Sequence, residues 1–425
     1  MQLEITRTFS VPENVNSINQ LEEAIFSFGT EVMVGLLKMM IRIYERDHYY
    51  CQKCRSRNVE PRGTKDREIS LRFGDATIKR ARVFCRECKT LSQPADALLD
   101  ELEGGRVTQK LRELICLCAA GWSFEIAEGV LEDLCGVELS HETIRQLAEK
   151  EGQKLAQEQA ERASEVVRSR PEVVVQSSQG KAELVCVEMD GGYVHSRENR
   201  GGMEGKVGLI YSEREKIGKE RHRLVDKRVV VSFVSSERLG QLCYLEAKGK
   251  GVDDAEKKAV VGDGAHWIWS QKDEHFPEAK AILDLYHLKR VVWDGLKKAE
   301  LPEGGRRAMG RGIVESLESG AVDIACGLIE GLMAGCEVGQ EELSDLLEYI
   351  RNNREAIPCY EGLKEEGYPV GSGAVEKQVD LVINRRMKGK SGMSWTRNGA
   401  DAIAALRALR INQDWADHWR KRKAA

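Results

Sequence analysis

LVCVEMDGG at 184–192 and KKAVVGDGAHWIW at 257–269 are the stretches on which the fold turns. Each is a short β-branched run that closes on an aspartate, Asp190 or Asp263, followed by glycine. Around them, 184–189, 207–211 and 229–234 read as β-rich runs separated by Gly-rich or charged turns, which predicts an antiparallel three-strand unit. A helical pattern at 239–247 then leads to a buried-type strand at 259–261, and a further strand at 281–283 follows another helix. This α/β order is typical of an RNase H-like core. Beyond it, 291–366 reads as all-helical and 372–412 supplies one or two closing helices, so the helical block is expected to be an insertion into the sheet domain.

Working toward the N-terminus, 17–46 reads as a long amphipathic helix. Ser17 is its cap, Gln20 completes a capping box, and Ile18, Leu21, Ile25, Phe28, Val32, Leu36 and Ile43 recur at helical spacing. Its apolar face needs a partner surface, on its own chain or on a second copy. The two pairs Cys51/Cys54 and Cys85/Cys88 are CxxC knuckles thirty residues apart. Between them, alternation on both sides of Gly74-Asp75 predicts a hairpin that brings the knuckles together. Four thiolates so held close a tetrahedral Zn²⁺ site, the alternative being unrelated buried cysteines. Residues 106–150 give three short helices, with Gly136 as a stop. Their proportions suit a helix-turn-helix whose recognition helix, 140–150, exposes His141, Arg145 and Gln146; Glu142 and Glu149 on the same helix count against DNA. A linker near 176–180 marks a boundary. The expected plan is an N-terminal helical segment (1–50), a zinc ribbon (51–92), a helix-turn-helix-like domain (100–165), the first part of the core (182–290), the insertion (291–366), and closing helices with a basic tail (367–425).

Of 425 residues, 41% are apolar and 32% charged, which suits several packed domains and excludes wholesale disorder. The longest apolar stretch, 32–44, is interrupted by Lys38 and Arg42, so no membrane span and no membrane partner are expected. The first residues lack a basic-then-apolar secretory pattern. Twelve cysteines in such a chain point to a reducing, cytoplasmic location. A net charge of -4 hides an asymmetry. Residues 51–92 carry twelve basic and five acidic side chains, 384–425 eleven and three, and 291–366 eight and sixteen. Particular surfaces, not the whole chain, are suited to a polyanion.

The acidic residues carry the chemistry. Asp190 is expected at the end of the first core strand, Asp263 at the end of the fourth, and Glu376, in GSGAVEK, in the opening turn of a later helix that Ser372 caps. Hard oxygen ligands at three distinct element ends suit a pair of Mg²⁺ or Mn²⁺ ions and phosphodiester chemistry. The neighbouring glycines are expected to give a phosphodiester room. Glu188, on the same strand face as Asp190, is a further candidate. Trp267 and Trp269 suit core packing or stacking on a base. Arg385, Arg386, Lys388 and Lys390 suit a DNA backbone or a solvated face.

MDGG, VGDGAHWIW, DLYHLKR and GSGAVEK, in this order, resemble the DDE transposases of bacterial insertion sequences, specifically the ISKra group, related to the Mutator-like transposases. The resemblance runs from the CxxC knuckles to Trp419. It implies an RNase H-like core interrupted by a helical insertion, with Asp190, Asp263 and Glu376 as the metal-binding triad. Asp284 to His287 matches an acid-x-x-His signature, which makes His287 a candidate catalytic group. The activity implied is transposition with double-stranded DNA, at transposon ends and target, as partner. The acidic insertion is expected to assemble a homo-oligomer, because its charge repels DNA, and the location would be the nucleoid. Rival readings are a transposase-derived DNA-binding protein without catalysis, and an RNase H-like nuclease.

Overall fold

The structure is a computed structural model that describes residues 6, 8, 9, 16–102, 105–169, 182–218, 222–299, 303–335, 339–389 and 392–422. Two compact units emerge: 1–148 with 419–425, and 149–418. The division falls inside a helix; the linker expected at 176–180 lies outside the described residues.

The first unit opens with α1 (Ile18–Asp47), whose first turn is closed as expected: the Ser17 hydroxyl accepts from Gln20 N. The Gln20 side chain accepts from Asn16 N, one residue ahead of a standard capping box. Val34, Leu37 and Ile41 pack against Ile69, Leu71 and Ile78 of the hairpin β1 (Val59–Leu71) and β2 (Gly74–Cys85). The hairpin turn is Arg72-Phe73, with Leu71 paired to Gly74, not Gly74-Asp75. A two-residue strand β3 (Leu91–Ser92) joins the edge of β2. After the short α2 (Asp96–Leu99) come α3 (Gln109–Gly121), α4 (Phe124–Cys135) and α5 (His141–Arg168). Thr108 and Ser123 cap α3 and α4 by accepting from Leu111 N and Ile126 N, and Gly136 ends α4 in the left-handed region. The helix expected at 140–150 does not stop there; α5 runs 28 residues.

The second unit is built on β4 (Leu184–Ser196), β5 (Gly202–Tyr211), β8 (Lys227–Ser232), β9 (Lys257–Gly262) and β10 (Lys280–Leu283), with the small hairpin β6 (Arg214–Lys216) and β7 (His222–Leu224) between β5 and β8. The sheet order is β10-β9-β4-β5-β8. β5 pairs antiparallel with β4 on one side and with β8 on the other, and β4, β9 and β10 run parallel. Parallel strands need a crossover, supplied by α6 (Ser236–Gly249) and α7 (His266–His275). Val185, Val187 and Met189 of β4 face a core with Leu239, Leu242, Ile268 and the end of α5, Ala163 and Val166. Alternation puts Cys186, Glu188, Asp190 and Gly192 on the other face. There lie α13 (Gly373–Val379), a π-helical turn (Asp380–Asn384) and the buried α15 (Arg397–Ile411). Between β10 and α13 the chain is helical: α8 (Leu285–Lys298), α9 (Glu303–Glu318), α10 (Val322–Gly335), α11 (Gln340–Asn352) and α12 (Tyr360–Glu365). The helical block therefore starts earlier than 291. After α14 (Arg385–Met387), an unanticipated strand β11 (Ser394–Trp395) extends the sheet beside His195 and Ser196; α16 (Trp415–Lys421) ends the described chain.

Candidate active site and metal centre

Asp190 is not at a strand end. Its strand continues to Ser196 because pairing with β5 persists to His195 and Gly202. What ends near Asp190 is the pairing with β9, whose last register pair is Glu188 with Val261. Two residues further along both strands stand Asp190 and Asp263, so the parallel register brings them side by side. Asp263 follows β9 directly, and its Oδ1 accepts from Ala265 N at 3.0 Å, an Asx turn. Glu376 occupies the first turn of α13, as expected, and is exposed. Burial, then the charges of Asp263, Glu376 and Glu204, push the Asp190 carboxyl up to about 6 against the pull of the Gly191 N–H. The three carboxylates thus share one electrostatic neighbourhood, and an oxygen-seeking cation would relieve their repulsion. Among the described residues, only the four cysteines gather all their donor atoms within 4.8 Å of one another. A cage for two ions about 4 Å apart is necessarily wider than one for a single ion.

Two deeply buried carboxylates hold Glu376 in place. Glu188 is 1% exposed; it accepts from the Tyr211 hydroxyl at 2.8 Å and from Val375 N, in the first turn of α13, at 3.0 Å. Asp284, 2% exposed, accepts from Tyr286 N and His287 N with one oxygen, capping α8. Its other oxygen accepts from Ser372 N at 2.8 Å and from the Ser372 hydroxyl. Ser372 therefore does not cap α13 with its side chain as expected; its hydroxyl is given to Asp284. Asp284 satisfies the Ser372 N–H and Glu188 shares the Val375 N–H with the Ser372 carbonyl at the entry to α13, and Glu376 is one residue past the Glu188 contact. Glu188→Ala removes the carboxylate acceptor of the buried Tyr211 hydroxyl and leaves Val375 N with the Ser372 carbonyl alone at 3.0 Å, and should cost about 1–3 kcal/mol in urea unfolding, with Glu188→Gln recovering at least half.

The glycines beside the aspartates are occupied by protein. A Cβ at Gly191 would meet Glu204 Oε1 at 2.3 Å, one at Gly192 would meet Val379 Cγ1 at 2.8 Å, and one at Gly264, whose φ is +97°, would meet Asn353 Oδ1 at 2.9 Å. They admit close packing, not a phosphodiester. The Asp263-Gly264 turn is braced from α11 and the residue after it. The Tyr349 hydroxyl donates to the Asp263 carbonyl at 2.8 Å, and Asn353 accepts from Trp269 Nε1 at 2.7 Å. Trp267 and Trp269 pack against the sheet core, as the packing reading expected. His287 Nδ1 lies 2.8 Å from Arg290 Nη2. A guanidinium only donates, so in the neutral ring the proton sits on Nε2, which suits a donor to an anion and not a metal ligand.

Arg386 is buried over the Trp395 ring, 5.1 Å from its centroid, and is a core residue instead of a DNA contact. Arg385 is exposed and pairs with Asp380 at 2.7 Å, Lys388 is exposed, and Lys390 lies outside the described residues. On the expected recognition helix, Arg145 and Gln146 both bond to Glu142, and His141 bonds to Glu128. Those polar groups are engaged by carboxylates within the unit, which removes much of their reach for bases.

The four-cysteine cluster is sharply drawn. Sγ atoms of Cys51 and Cys88, and of Cys54 and Cys85, lie 3.5 Å apart. Both knuckles repeat one backbone pattern: Cys51 N donates to Ser56 O at 2.8 Å and Cys85 N to Thr90 O at 2.9 Å. The residue after each second cysteine, Arg55 (φ 62°) and Lys89 (φ 56°), is in the left-handed region. The Cys54 N–H pulls the Cys51 thiol down to about 6 against burial, and the Thr90 hydroxyl lowers the Cys88 thiol. Against the pull of the Ser56 N–H, the neighbouring Cys85 pushes the Cys54 thiol up, so the bias toward thiolate holds for two of the four; it is the four-sulfur donor set that fits a soft, tetrahedral ion such as Zn²⁺.

A mixed α/β unit with clustered acids at one place in its sheet, and a second unit bearing a four-thiol centre, define the class of protein. The chain belongs to the family described as Uncharacterised protein family (UPF0236), which it matches over residues 11–423. It is also similar to a Streptococcus gallolyticus protein named "UPF0236 protein in vanSb 3'region", with 23% identity over 425 residues, 96% of this chain and 86% of the relative.

Proposed function

We propose that this protein is an insertion-sequence DNA transposase of the DDE type, with an RNase H-like core. The observation that carries the reading is the shared charge field of Asp190, Asp263 and Glu376, acids separated by up to 186 positions in the chain. Support also comes from the strand order, three antiparallel strands followed by two parallel ones through helical crossovers. In this reading the three carboxylates hold Mg²⁺ or Mn²⁺, which when bound would polarise the scissile phosphate and the attacking oxygen. Glu188 and Asp284 keep Glu376 facing the aspartates, Tyr349 fixes the Asp263 backbone, and His287 Nε2–H is a donor for a phosphate or leaving oxygen. Water hydrolyses a phosphodiester at a terminal repeat, and the freed 3'-hydroxyl then attacks target DNA. A structural Zn²⁺ at Cys51, Cys54, Cys85 and Cys88 steadies a strongly basic module suited to phosphates. Homo-oligomeric assembly on DNA at the nucleoid, in the cytoplasm, completes the proposal.

The test is incubation of the purified protein with labelled duplexes from the ends of its own genetic element and Mg²⁺ or Mn²⁺. Joined products are the expected result. Hydrolysed products alone would make it an RNase H-like nuclease, and binding without cleavage a DNA-binding derivative.

A further inference from the structure

α8 is tied to two of the three acids. At its N-terminus Asp284 accepts from Tyr286 N and His287 N with one oxygen, and with the other from Ser372 at the entry to α13, the helix of Glu376. On the other side the His287 ring lies 6.3 Å from the ring of Tyr349, whose hydroxyl donates to the Asp263 carbonyl at 2.8 Å. Leu285, Leu288, Val292 and Leu296 turn the far side of α8 into the core. Helical spacing puts Tyr286 and Arg290 one turn apart on the side left to solvent, both exposed, with the half-buried His287 beside them.

Two side chains on that face lack what their chemistry calls for. Tyr286 is 65% exposed, yet its ring is anchored: a Cβ on Gly371 would meet ring carbons Cδ2 and Cε2 at 2.8 and 2.9 Å, so one edge rests on the backbone that leads into α13. A ring fixed at one edge and otherwise open is a stacking platform that costs little entropy to use. Arg290 pairs with no carboxylate among the described residues; its guanidinium donates to His287 Nδ1 at 2.8 Å. Arg307, Arg351 and Arg354 of the same helical block each pair with an acid. A guanidinium carries five N–H donors, and a neutral imidazole accepts one of them without cancelling the charge. Burial, then the charges of Asp263 and Asp284, push the Tyr349 hydroxyl up while Arg290 pulls it back, so the cation lies within electrostatic reach of the Asp263 turn. Farther along the exposed side of α8, Asp294 is outnumbered by Lys297 and Lys298. Side chains one helical turn apart start roughly 5–6 Å from each other at Cβ, which suits the two ends of one nucleotide, an anion at Arg290 and a planar base on Tyr286.

We propose that Tyr286 and Arg290 form a nucleotide subsite beside the acids, in which the guanidinium holds a backbone phosphate next to the one being cut and the Tyr286 ring stacks on a base. This assignment rests on the transposase reading and names substrate contacts of the same site.

The test is cleavage of the labelled terminal duplexes by the full-length protein in Mn²⁺, with each phosphate flanking the cut replaced in turn by an uncharged methylphosphonate, and each flanking nucleotide in turn by an abasic one. Arg290→Gln should slow cleavage at limiting DNA about tenfold and reduce the slope of log affinity against log salt by about one. At one methylphosphonate position wild type should be slowed as much as Arg290→Gln, and there the variant should lose nothing further, the signature of a direct contact in a double-mutant cycle. Tyr286→Ala should lose about tenfold and show the same coupling to one abasic position, with Tyr286→Phe within about threefold of wild type. For either residue, a loss that is equal on every modified duplex, as misfolding or a purely structural role would give, overturns the subsite, and so does the absence of a loss. Wild type that neither binds nor cuts the duplexes overturns the transposase reading and the subsite with it.

Discussion

On the proposed transposase reading, Asp263→Asn is expected to lower DNA strand cleavage by about a thousandfold or more while leaving DNA affinity within about threefold, since it would remove a metal-binding oxygen and no DNA contact. Asp190→Asn and Glu376→Gln should match it, because in that reading the three acids hold the metal together. A second readout has the opposite sign. The Asp190 carboxyl is raised to about 6, first by burial and then by its acidic neighbours. A carboxyl raised in the folded state is held protonated there while the unfolded chain has already ionised. Stability therefore falls as pH rises from about 4 through 6 and stays low above that. Asp190→Asn removes this penalty and should stabilise the metal-free protein by about 1–2 kcal/mol at pH 8, with little change at pH 4. Adding Mn²⁺ should raise the melting temperature of wild type and leave the variant unmoved. An inactive but more stable protein separates a functional acid from a structural one; loss of both activity and stability would count against the assignment.

Removing metal from the four-cysteine cluster, by chelation or by Cys85→Ala, should unfold half a hairpin. The reason lies in how apolar burial is distributed. Ile69, Leu71, Ala76 and Ile78 pack under α1 at one end, whereas Pro61 to Asp66, toward the knuckles, is exposed and contains a bulge between Pro61 and Thr64. Beyond the cluster, the knuckle end is closed by one buried side chain, Val83, the two-residue pairing of β3 and the Arg62 guanidinium over the Phe84 ring, whereas structural zinc in small modules contributes roughly 10–16 kcal/mol of apparent binding free energy. Hydrogen exchange should show amide protection lost at residues 51–62 and 83–92 and kept at 69–78, with one zinc per chain in the native protein. Uniform protection after chelation would show that thiols and backbone suffice. Global unfolding would show that the α1 end depends on metal as well.

Strong local rules were legible in the sequence. Ser17 acts as a helix cap, Gly136 is a left-handed stop, and the two CxxC pairs meet across the hairpin. Errors arose where glycine carries two meanings. Gly74-Asp75 has the composition of a turn, but Gly74 begins β2, because the tight turn needs only Arg72 and Phe73. By residue type Gly191 and Gly192 promise open space after a strand end at Asp190, yet β5 pairs straight through them and Glu204 and Val379 fill the room. Long-range pairings left no local mark. Asp284 reaches Ser372 across 88 positions, Tyr349 reaches Asp263 across 86, and Glu188 reaches Val375 across 187. Only the Asp before an apolar helix, at Asp284, carried a readable capping signal. The basic run failed for a different reason: sequence gives the sign of Arg386 but not the Trp395 ring over which it is buried.

Anomalous scattering from a Mn²⁺-soaked crystal of the full-length protein tests the central assignment most directly. The account predicts manganese bound to carboxylate oxygens of Asp190, Asp263 and Glu376, with Glu188 and Asp284 turned to α13 and carrying no ion. Manganese found elsewhere, or no peak within coordination distance of those three side chains, would contradict it.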